Sequence, residues 1–201
     1  MNNGSGLRVV LWLSGCNHKC TGCQNPQTWD VNSGILFDEK AKEELFRELD
    51  KDYISGLTLT GGDPLHPSNL DSVLDIVTEF NKRYKTTLDI VSNKECNYNI
   101  LNENVNKIHL LSPKKTIWLY SGYTWEQIFD DKYHYHPKTA EKLLTHRWRR
   151  QQIVSQCDVM VDGRYIDSKR DITLKWRGSS NQRVIDIQES LKQGEVVLWT
   201  I

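Results

Sequence analysis

The chain has 201 residues, of which 26 are Lys or Arg and 26 are Asp or Glu, so its formal net charge at pH 7 is zero. This balance excludes a global field that would favour nucleic acid or an anionic membrane as a partner. The length is typical of one domain with its own core, and we expect a single domain over residues 1–201. No apolar stretch approaches the roughly 20 residues of a membrane span, and the first residues lack a secretory pattern. We therefore expect a cytoplasmic protein.

Short apolar runs alternate with amphipathic stretches along the chain. Helices are predicted from Asp38 to about residue 52, from a capping box of Ser68 and Asp71, and after Pro137. The stretch 85–114 is rich in Asn and Lys and is predicted to be an insertion or long loop. The repeated β–α order favours an α/β fold in which helices cover a parallel sheet. Its predicted strands are 8–13, 57–60, 88–91, 117–120 and 159–161.

Three of the five cysteines lie close together, directly after the first predicted strand. Cys16, Cys20 and Cys23 have the spacing CxxxCxxC. These three cysteines lie within eight positions, and the total of five cysteines is an odd number. Both facts argue against a disulfide framework and favour metal binding or redox chemistry. Because a metal site or an iron–sulfur cluster normally takes four ligands, three thiolates either borrow a distant fourth ligand or leave one metal position open. An open position indicates an enzyme.

A glycine-rich motif follows the second predicted strand. Gly61, Gly62 and Asp63 begin where that strand ends, just as the cysteines follow the first strand. Parallel β/α folds place their ligand sites at the carboxyl ends of the strands, so the two motifs are predicted to meet across one cavity. Without a Cβ, Gly61 and Gly62 allow a ligand to approach the backbone closely. The alternative is an ordinary turn after a strand.

Five segments extend this pattern over much of the chain. In order they are GCNHKCTGCQNPQTWDVNSG (15–34), LTLTGGDPLHP (57–67), IWLYSGYTWE (117–126), VMVDGRYI (159–166) and WRGSSNQR (176–183). With these segments the chain resembles the radical S-adenosylmethionine enzymes, and among them the activating proteins of anaerobic ribonucleoside-triphosphate reductase. The resemblance implies an incomplete (β/α) barrel of the radical S-adenosylmethionine type.

The resemblance also implies the residues of the site. Cys16, Cys20 and Cys23 would bind three irons of a [4Fe-4S] cluster, and S-adenosylmethionine would bind the fourth iron. The Asp63 carboxylate is suited to accept a hydrogen bond from the methionine ammonium. No catalytic residue is expected beyond the cluster and the S-adenosylmethionine site. The implied cofactor-binding residues are Gly22, Cys23, Gln24, Gly61, Gly62 and Asp63.

A reaction and its partners follow from the same resemblance. Reductive cleavage of S-adenosylmethionine would produce a radical that takes a hydrogen from a glycine of the anaerobic ribonucleotide reductase large subunit. The product would be a glycyl radical on that subunit. Reduced flavodoxin or a similar carrier would supply the electron, and neither nucleic acid nor a membrane is expected as a partner.

Three alternative functions remain open. The chain could activate another glycyl radical enzyme, such as pyruvate formate-lyase. The cysteines could instead form a structural zinc site in a non-enzymatic module, completed by His18, Cys96 or Cys157. They could also hold a cluster used only for electron transfer, which requires a fourth cysteine ligand.

The polar segment 176–183 is a further candidate for function. One hypothesis is that Arg177 and Arg183 help to bind the reductase or to orient the adenosyl group. The alternative is a helix start, with Ser179 or Ser180 as the capping residue.

Overall fold

A six-stranded sheet carries the fold. The computed structural model describes residues 3–85, 115–130 and 140–200, without the side chains of 140–144. The strands are β1 (Arg8–Leu13), β2 (Gly56–Gly61), β3 (Thr116–Tyr120), β4 (Val159–Asp162), β5 (Arg183–Asp186) and β6 (Val197–Leu198). Their order in the sheet is their order in the chain. β1 to β4 are parallel, and β5 and β6 are added as antiparallel strands. The predicted α/β class and the four predicted strands that fall on described residues are confirmed.

Helices connect the parallel strands. Those before β4 are α1 (Glu39–Leu49), α2 (Leu70–Tyr84), α3 (Trp125–Phe129) and α4 (Ala140–Ser155), and a further helix, α5 (Ile187–Gln193), lies between the antiparallel strands β5 and β6. The predicted starts of α1 and α4 are confirmed. The predicted strand 88–91 lies outside the described residues. So does the predicted insertion at 85–114, except for residue 85. Over the described ranges, no helix is both long enough and apolar enough to cross a membrane.

The predicted capping box at the start of α2 is wrong. The N-cap is Asn69, and no side chain accepts a hydrogen bond there as a cap. The Ser68 hydroxyl is instead bonded to His66 Nδ1 at 2.7 Å. Asn69 donates its side-chain amide to the carbonyls of Ser14 and Asp63. This residue therefore ties the start of α2 to the loops that follow β1 and β2.

The two faces of the sheet bury different sets of side chains. Leu59 of β2 and Leu119 of β3 point toward the helices and pack in the main core. Trp118 and Val161 point to the opposite face, where Trp176 packs with them in a second cluster. The alternation follows from the two-residue period of a strand. The face away from the helices is also the face on which the cavity described below opens.

Candidate functional site

The loop that carries the three cysteines leaves β1 and is closed by bonds within its own backbone. The Cys16 N–H donates to the Trp29 carbonyl at 3.0 Å, which brings the end of the loop back to β1. The Cys23 N–H donates to the Cys20 carbonyl at 3.1 Å. Lys19 has a φ of 46°, in the left-handed region that turns the chain sharply. The loop is curled as a result, and all three cysteines line one cavity of about 290 Å³.

The three thiols are free and partly buried. Burial raises the pKa of the Cys16 thiol, whereas hydrogen bonds from the backbone of His18 and Lys19 act to lower it. Burial also raises the pKa of the Cys20 thiol, against a backbone hydrogen bond from Tyr165. Donors directed at sulfur favour the thiolate, which is the form that binds metal. The loop therefore offers sulfur donors suited to a cationic centre.

The glycine motif packs directly on the cysteine loop, as the sequence predicts. The Gly62 N–H donates to the Leu13 carbonyl at 2.7 Å, and the Asp63 N–H donates to the Gly15 carbonyl at 2.8 Å. A Cβ on Gly62 would lie 2.6 Å from the Gly15 oxygen, and one on Gly61 would lie 2.7 Å from Leu13 backbone atoms. The contact between the two loops thus requires both glycines. A close approach of a ligand to the same backbone stays a prediction.

The Asp63 carboxylate lies at the centre of the site and is only 2% exposed. The donors around it are Leu65 N at 2.8 Å, Ser121 Oγ at 2.9 Å, Gly122 N at 3.0 Å and His18 Nε2 at 2.8 Å. These donors come from the loops that follow β1, β2 and β3. The hydrogen bond that Asp63 is predicted to accept from a ligand ammonium stays a prediction, and such a ligand would share the carboxylate with these groups.

Two of the three side chains that could complete a zinc site, His18 and Cys157, form hydrogen bonds to other groups in the structure. His18 Nε2 donates to Asp63, and His18 Nδ1 accepts from Arg164 Nε at 3.2 Å. The Cys157 thiol is fully buried and donates to a carbonyl of α4 at 3.3 Å. Burial raises the pKa of the Cys157 thiol, which disfavours its thiolate. The third candidate, Cys96, lies outside the described residues.

A single-ion site is not formed in the described part of the chain. No group of three or more His, Cys, Asp or Glu side chains is arranged there to hold one metal ion. A [4Fe-4S] cluster has its irons at separate corners, so its thiolate ligands lie farther apart than those of one ion. Three half-buried thiols on one cavity, supported by backbone N–H donors, fit a cluster of this kind.

The predicted cofactor-binding residues divide into two groups. Gly22 is not among the residues that line the cavity. It has a φ of 72°, and a Cβ there would lie 2.6 Å from Asp167 Oδ1. The backbone conformation and the contact with Asp167 therefore require glycine at this position even without a bound ligand. The residues of the set that line the cavity are Cys23, Gln24, Gly61, Gly62 and Asp63.

Aromatic side chains that the sequence analysis did not single out complete the cavity. Trp12 at the end of β1 and Tyr120 at the end of β3 both line it. The Tyr120 hydroxyl is buried and has no hydrogen-bond partner among the described residues, and burial raises its pKa. An unpaired buried hydroxyl is costly unless a ligand satisfies it. The signal in the sequence is the position of both residues at strand ends, on the face opposite to Leu11 and Leu119.

A second cavity of about 650 Å³ adjoins the first. Gln24, Trp176, Arg177 and Gly178 line both cavities. Trp176 has a φ of 63°, a conformation that costs energy for a bulky residue, and its ring meets Trp118 edge-on at 5.0 Å. Strain of this kind concentrates where a ligand is bound. The two cavities are therefore neighbours, separated by these shared residues beside the cysteine loop.

The segment 176–183 does not begin a helix. Residues 183–186 form β5, and Asp186 is the N-cap of α5. Ser179 Oγ instead accepts from the Ile166 N–H at 3.2 Å. The prediction that Ser179 or Ser180 caps a helix is wrong, because the polar residues of this segment bind the loop after β4.

The two arginines of this segment have different surroundings. Arg177 lines both cavities and donates to the Gln182 carbonyl. Arg183 donates to both carboxylate oxygens of Glu126, at 2.8 and 2.9 Å, and to Asp162. This pairing lowers the pKa of Glu126 to about 2. Arg183 therefore joins β5 to β4 and α3, and of the two arginines only Arg177 borders the cavities.

Comparison with a family model agrees with this donor set. A model described as a 4Fe-4S single cluster domain matches residues 2–102 and 92–185. No solved structure gives a significant match.

Relatives with assigned names match the chain over most of its length. A protein of Enterobacteria phage T4 is 34% identical over 184 residues, which cover 90% of this chain and 85% of the relative. One from Vibrio cholerae is 34% identical over 182 residues, covering 90% and 88%. One from Escherichia coli K12 is 32% identical over 184 residues, covering 90% of each. All three are named anaerobic ribonucleoside-triphosphate reductase-activating protein.

Proposed function

The chain belongs to the family of anaerobic ribonucleoside-triphosphate reductase-activating proteins, and on this premise we propose that it activates that reductase with a [4Fe-4S] cluster and S-adenosylmethionine. The proposed product is a glycyl radical on the large subunit of the reductase. Reduced flavodoxin or a similar carrier is the proposed source of the electron. The proposed unit is one radical S-adenosylmethionine domain over residues 1–201.

One observation carries the proposal. Cys16, Cys20 and Cys23 are free, partly buried and line the same cavity as Gly62. These thiolates would hold three irons of the cluster. The remaining cysteine of the described ranges, Cys157, is sealed in the core, so none of the described residues offers a fourth sulfur. An open iron favours an enzyme over a carrier that only transfers electrons, because the carrier needs a fourth ligand.

The cavity offers groups suited to S-adenosylmethionine. When bound, the cluster and S-adenosylmethionine supply the reductive cleavage and the hydrogen abstraction that leave the glycyl radical. The residues of this chain bind and orient them. Gln24 and the backbone of Gly62 lie beside Cys23, and the unpaired hydroxyl of Tyr120 is available to a ligand. Trp12 and Trp176 add apolar surface to the lining of the cavity.

The larger cavity suits a macromolecular substrate. It opens beside Gln24 and is bordered by the loop 170–178. In this proposal it admits the glycine-bearing segment of the reductase. The smaller cavity opens on the face of the sheet away from the helices, where Trp12, Thr60, Tyr120 and Val161 of β1 to β4 line it. We propose that this half of the molecule is the incomplete (β/α) barrel that the sequence resemblance implies.

Anaerobic reconstitution tests the proposal. The protein is loaded with iron and sulfide, reduced, and supplied with S-adenosylmethionine and the reductase. We expect brown colour, about four irons per chain, 5′-deoxyadenosine as product, and a glycyl radical signal in the reductase by electron paramagnetic resonance. Pyruvate formate-lyase, supplied in place of the reductase, tests the alternative target. A colourless protein that binds zinc, or a cluster that never cleaves S-adenosylmethionine, would contradict the proposal.

Cysteine variants provide the matched control. Cys16→Ser removes a proposed ligand, and we expect loss of the cluster. Cys157→Ser removes a buried thiol whose hydroxyl replacement keeps a donor to the same carbonyl. We expect this second variant to retain its iron. Equal loss of iron from both variants would point to misfolding and not to ligation.

A further inference from the structure

His18 contacts the loops that follow all four parallel strands. It stands in the cysteine loop after β1, and its Nε2 lies 2.8 Å from Asp63 Oδ2 in the loop after β2. Its ring meets Tyr123, in the loop after β3, edge-on at 4.7 Å. Its Nδ1 accepts from Arg164, in the loop after β4, at 3.2 Å. One imidazole thus connects four segments that are far apart in the sequence.

The ring is held closely on each of these sides. The side chain of His18 is 8% exposed and that of Asp63 is 2% exposed. A Cβ on Gly122 would lie 2.3 Å from the imidazole, so the backbone after β3 is in direct contact with the ring. With the proton on Nε2, the neutral imidazole donates to Asp63 and accepts from Arg164, which satisfies both nitrogens. The side chain therefore has one well-defined position.

We infer that His18 is a positioning residue that fixes the cysteine loop against the Gly61–Asp63 turn. This inference rests on the proposed function, in which the cysteine loop holds the cluster and the turn binds the methionine end of S-adenosylmethionine. The two loops also share backbone hydrogen bonds through Leu13 and Gly15. Those bonds fix the start of the cysteine loop. His18 fixes its middle, between the first two cysteines.

Removal of the imidazole is expected to loosen the loop without unfolding the sheet. In the His18→Ala variant the bonds of Leu13 and Gly15 remain, but the segment between Cys16 and Cys20 loses its contacts to three other loops. Local opening of this kind costs less free energy than global unfolding. We expect the apo protein to show faster alkylation of Cys16 by iodoacetamide, by about tenfold. Cys157, buried in the core, reports global unfolding and should react as in the unchanged protein.

The loaded protein provides a second measurement. S-adenosylmethionine is titrated into the reduced cluster, and the change in its electron paramagnetic resonance spectrum is followed. We expect His18→Ala to keep its iron but to need about ten times more S-adenosylmethionine for half of the change. If the unchanged protein shows no such spectral change, the proposed function fails, and the alkylation experiment still tests His18.

Two further variants separate positioning from general stability. His18→Gln keeps an amide donor for Asp63 and an oxygen acceptor for Arg164, so it should lie within about threefold of the unchanged protein in both measurements. His66→Ala removes an imidazole from the same region whose hydrogen bonds stay within its own turn, to Ser68. Both the rate of Cys16 alkylation and the amount of S-adenosylmethionine needed should be the same in His66→Ala as in the unchanged protein.

Several results would overturn the inference. One is His18→Ala with unchanged Cys16 alkylation. Another is equal acceleration at Cys16 and Cys157 in both the Ala and the Gln variants, which would mean a role in global stability. A Gln variant that needs as much S-adenosylmethionine as the Ala variant, and whose Cys16 is alkylated as fast, would also reject positioning by hydrogen bonds.

Discussion

Gly62 packs so closely on Gly15 that a Cβ would lie 2.6 Å from the Gly15 carbonyl oxygen. Gly15 is the residue directly before the first cysteine, so this contact sets the distance between the loop after β2 and the loop after β1. Backbone atoms surround the point where a side chain would begin, and backbone cannot move aside as a flexible side chain would. The contact therefore couples the two motifs of the site.

We expect Gly62→Ala to disturb both stability and cluster chemistry. Overpacking against backbone costs ~1–3 kcal/mol, and here the displaced backbone belongs to the cysteine loop. The free energy of unfolding should fall by about 2 kcal/mol in urea titrations. The rate of 5′-deoxyadenosine formation should fall by at least about tenfold, since the loops can no longer meet at their present distance.

Gly194→Ala is the matched control. Gly194 is the C-cap of α5, with a φ of 74°, and a Cβ there would meet nothing within 4 Å. Alanine in this conformation costs ~1 kcal/mol of stability. Cluster content and S-adenosylmethionine cleavage should be unchanged. If Gly62→Ala behaves like this control, the close contact with Gly15 has no functional consequence.

Asp38 and Ser68 are both predicted from the sequence to cap a helix, but the structure gives different expectations for replacing each with alanine. The Asp38 side chain accepts a hydrogen bond from the Ala41 N–H at 2.9 Å, so Asp38→Ala should cost about 1 kcal/mol of unfolding free energy. Ser68 is not a cap, and its hydroxyl bonds to a partly exposed His66. Ser68→Ala should cost less than half as much in the same urea titration. A larger loss for Ser68→Ala would restore it as the cap of α2.

The sequence predicts the parallel strands and the contact between the cysteine loop and the glycine motif better than it predicts the end of the fold. Strand periodicity located β1 to β4, and the position of both motifs at strand ends predicted that they meet. The segment 176–183 was interpreted as a possible helix start because its serines resemble caps. Its polar groups instead bind the loop after β4, and the segment leads into β5, an antiparallel strand that pairs with β4. The contacts of His18 were also missed, since pairing between residues 18 and 164 has no local period in the sequence.

Acid should weaken the connection between β5 and α3. Arg183 lowers the pKa of Glu126 to about 2, below its ordinary value of 4.5. The unfolded chain takes up this proton first as the pH falls, so the stabilisation is complete above about pH 4.5 and is lost toward pH 2. Because Glu126 is 40% exposed, screening reduces the effect to ~1 kcal/mol. Urea titrations of the apo protein at pH 6 and pH 3 should show this loss, and Glu126→Gln should show less of it.

Tyr120→Phe should separate stability from function. The buried hydroxyl has no partner within residues 3–85, 115–130 and 140–200, so its removal relieves an unsatisfied group and should raise the free energy of unfolding by about 1 kcal/mol. In the proposed function this hydroxyl is available to S-adenosylmethionine or to the incoming glycine segment. The KM for one of them should therefore rise several-fold in the same variant. A Tyr120→Phe variant less stable than the unchanged protein would show that the hydroxyl already has a partner. An unchanged KM for both S-adenosylmethionine and the reductase would show that neither of them binds this hydroxyl.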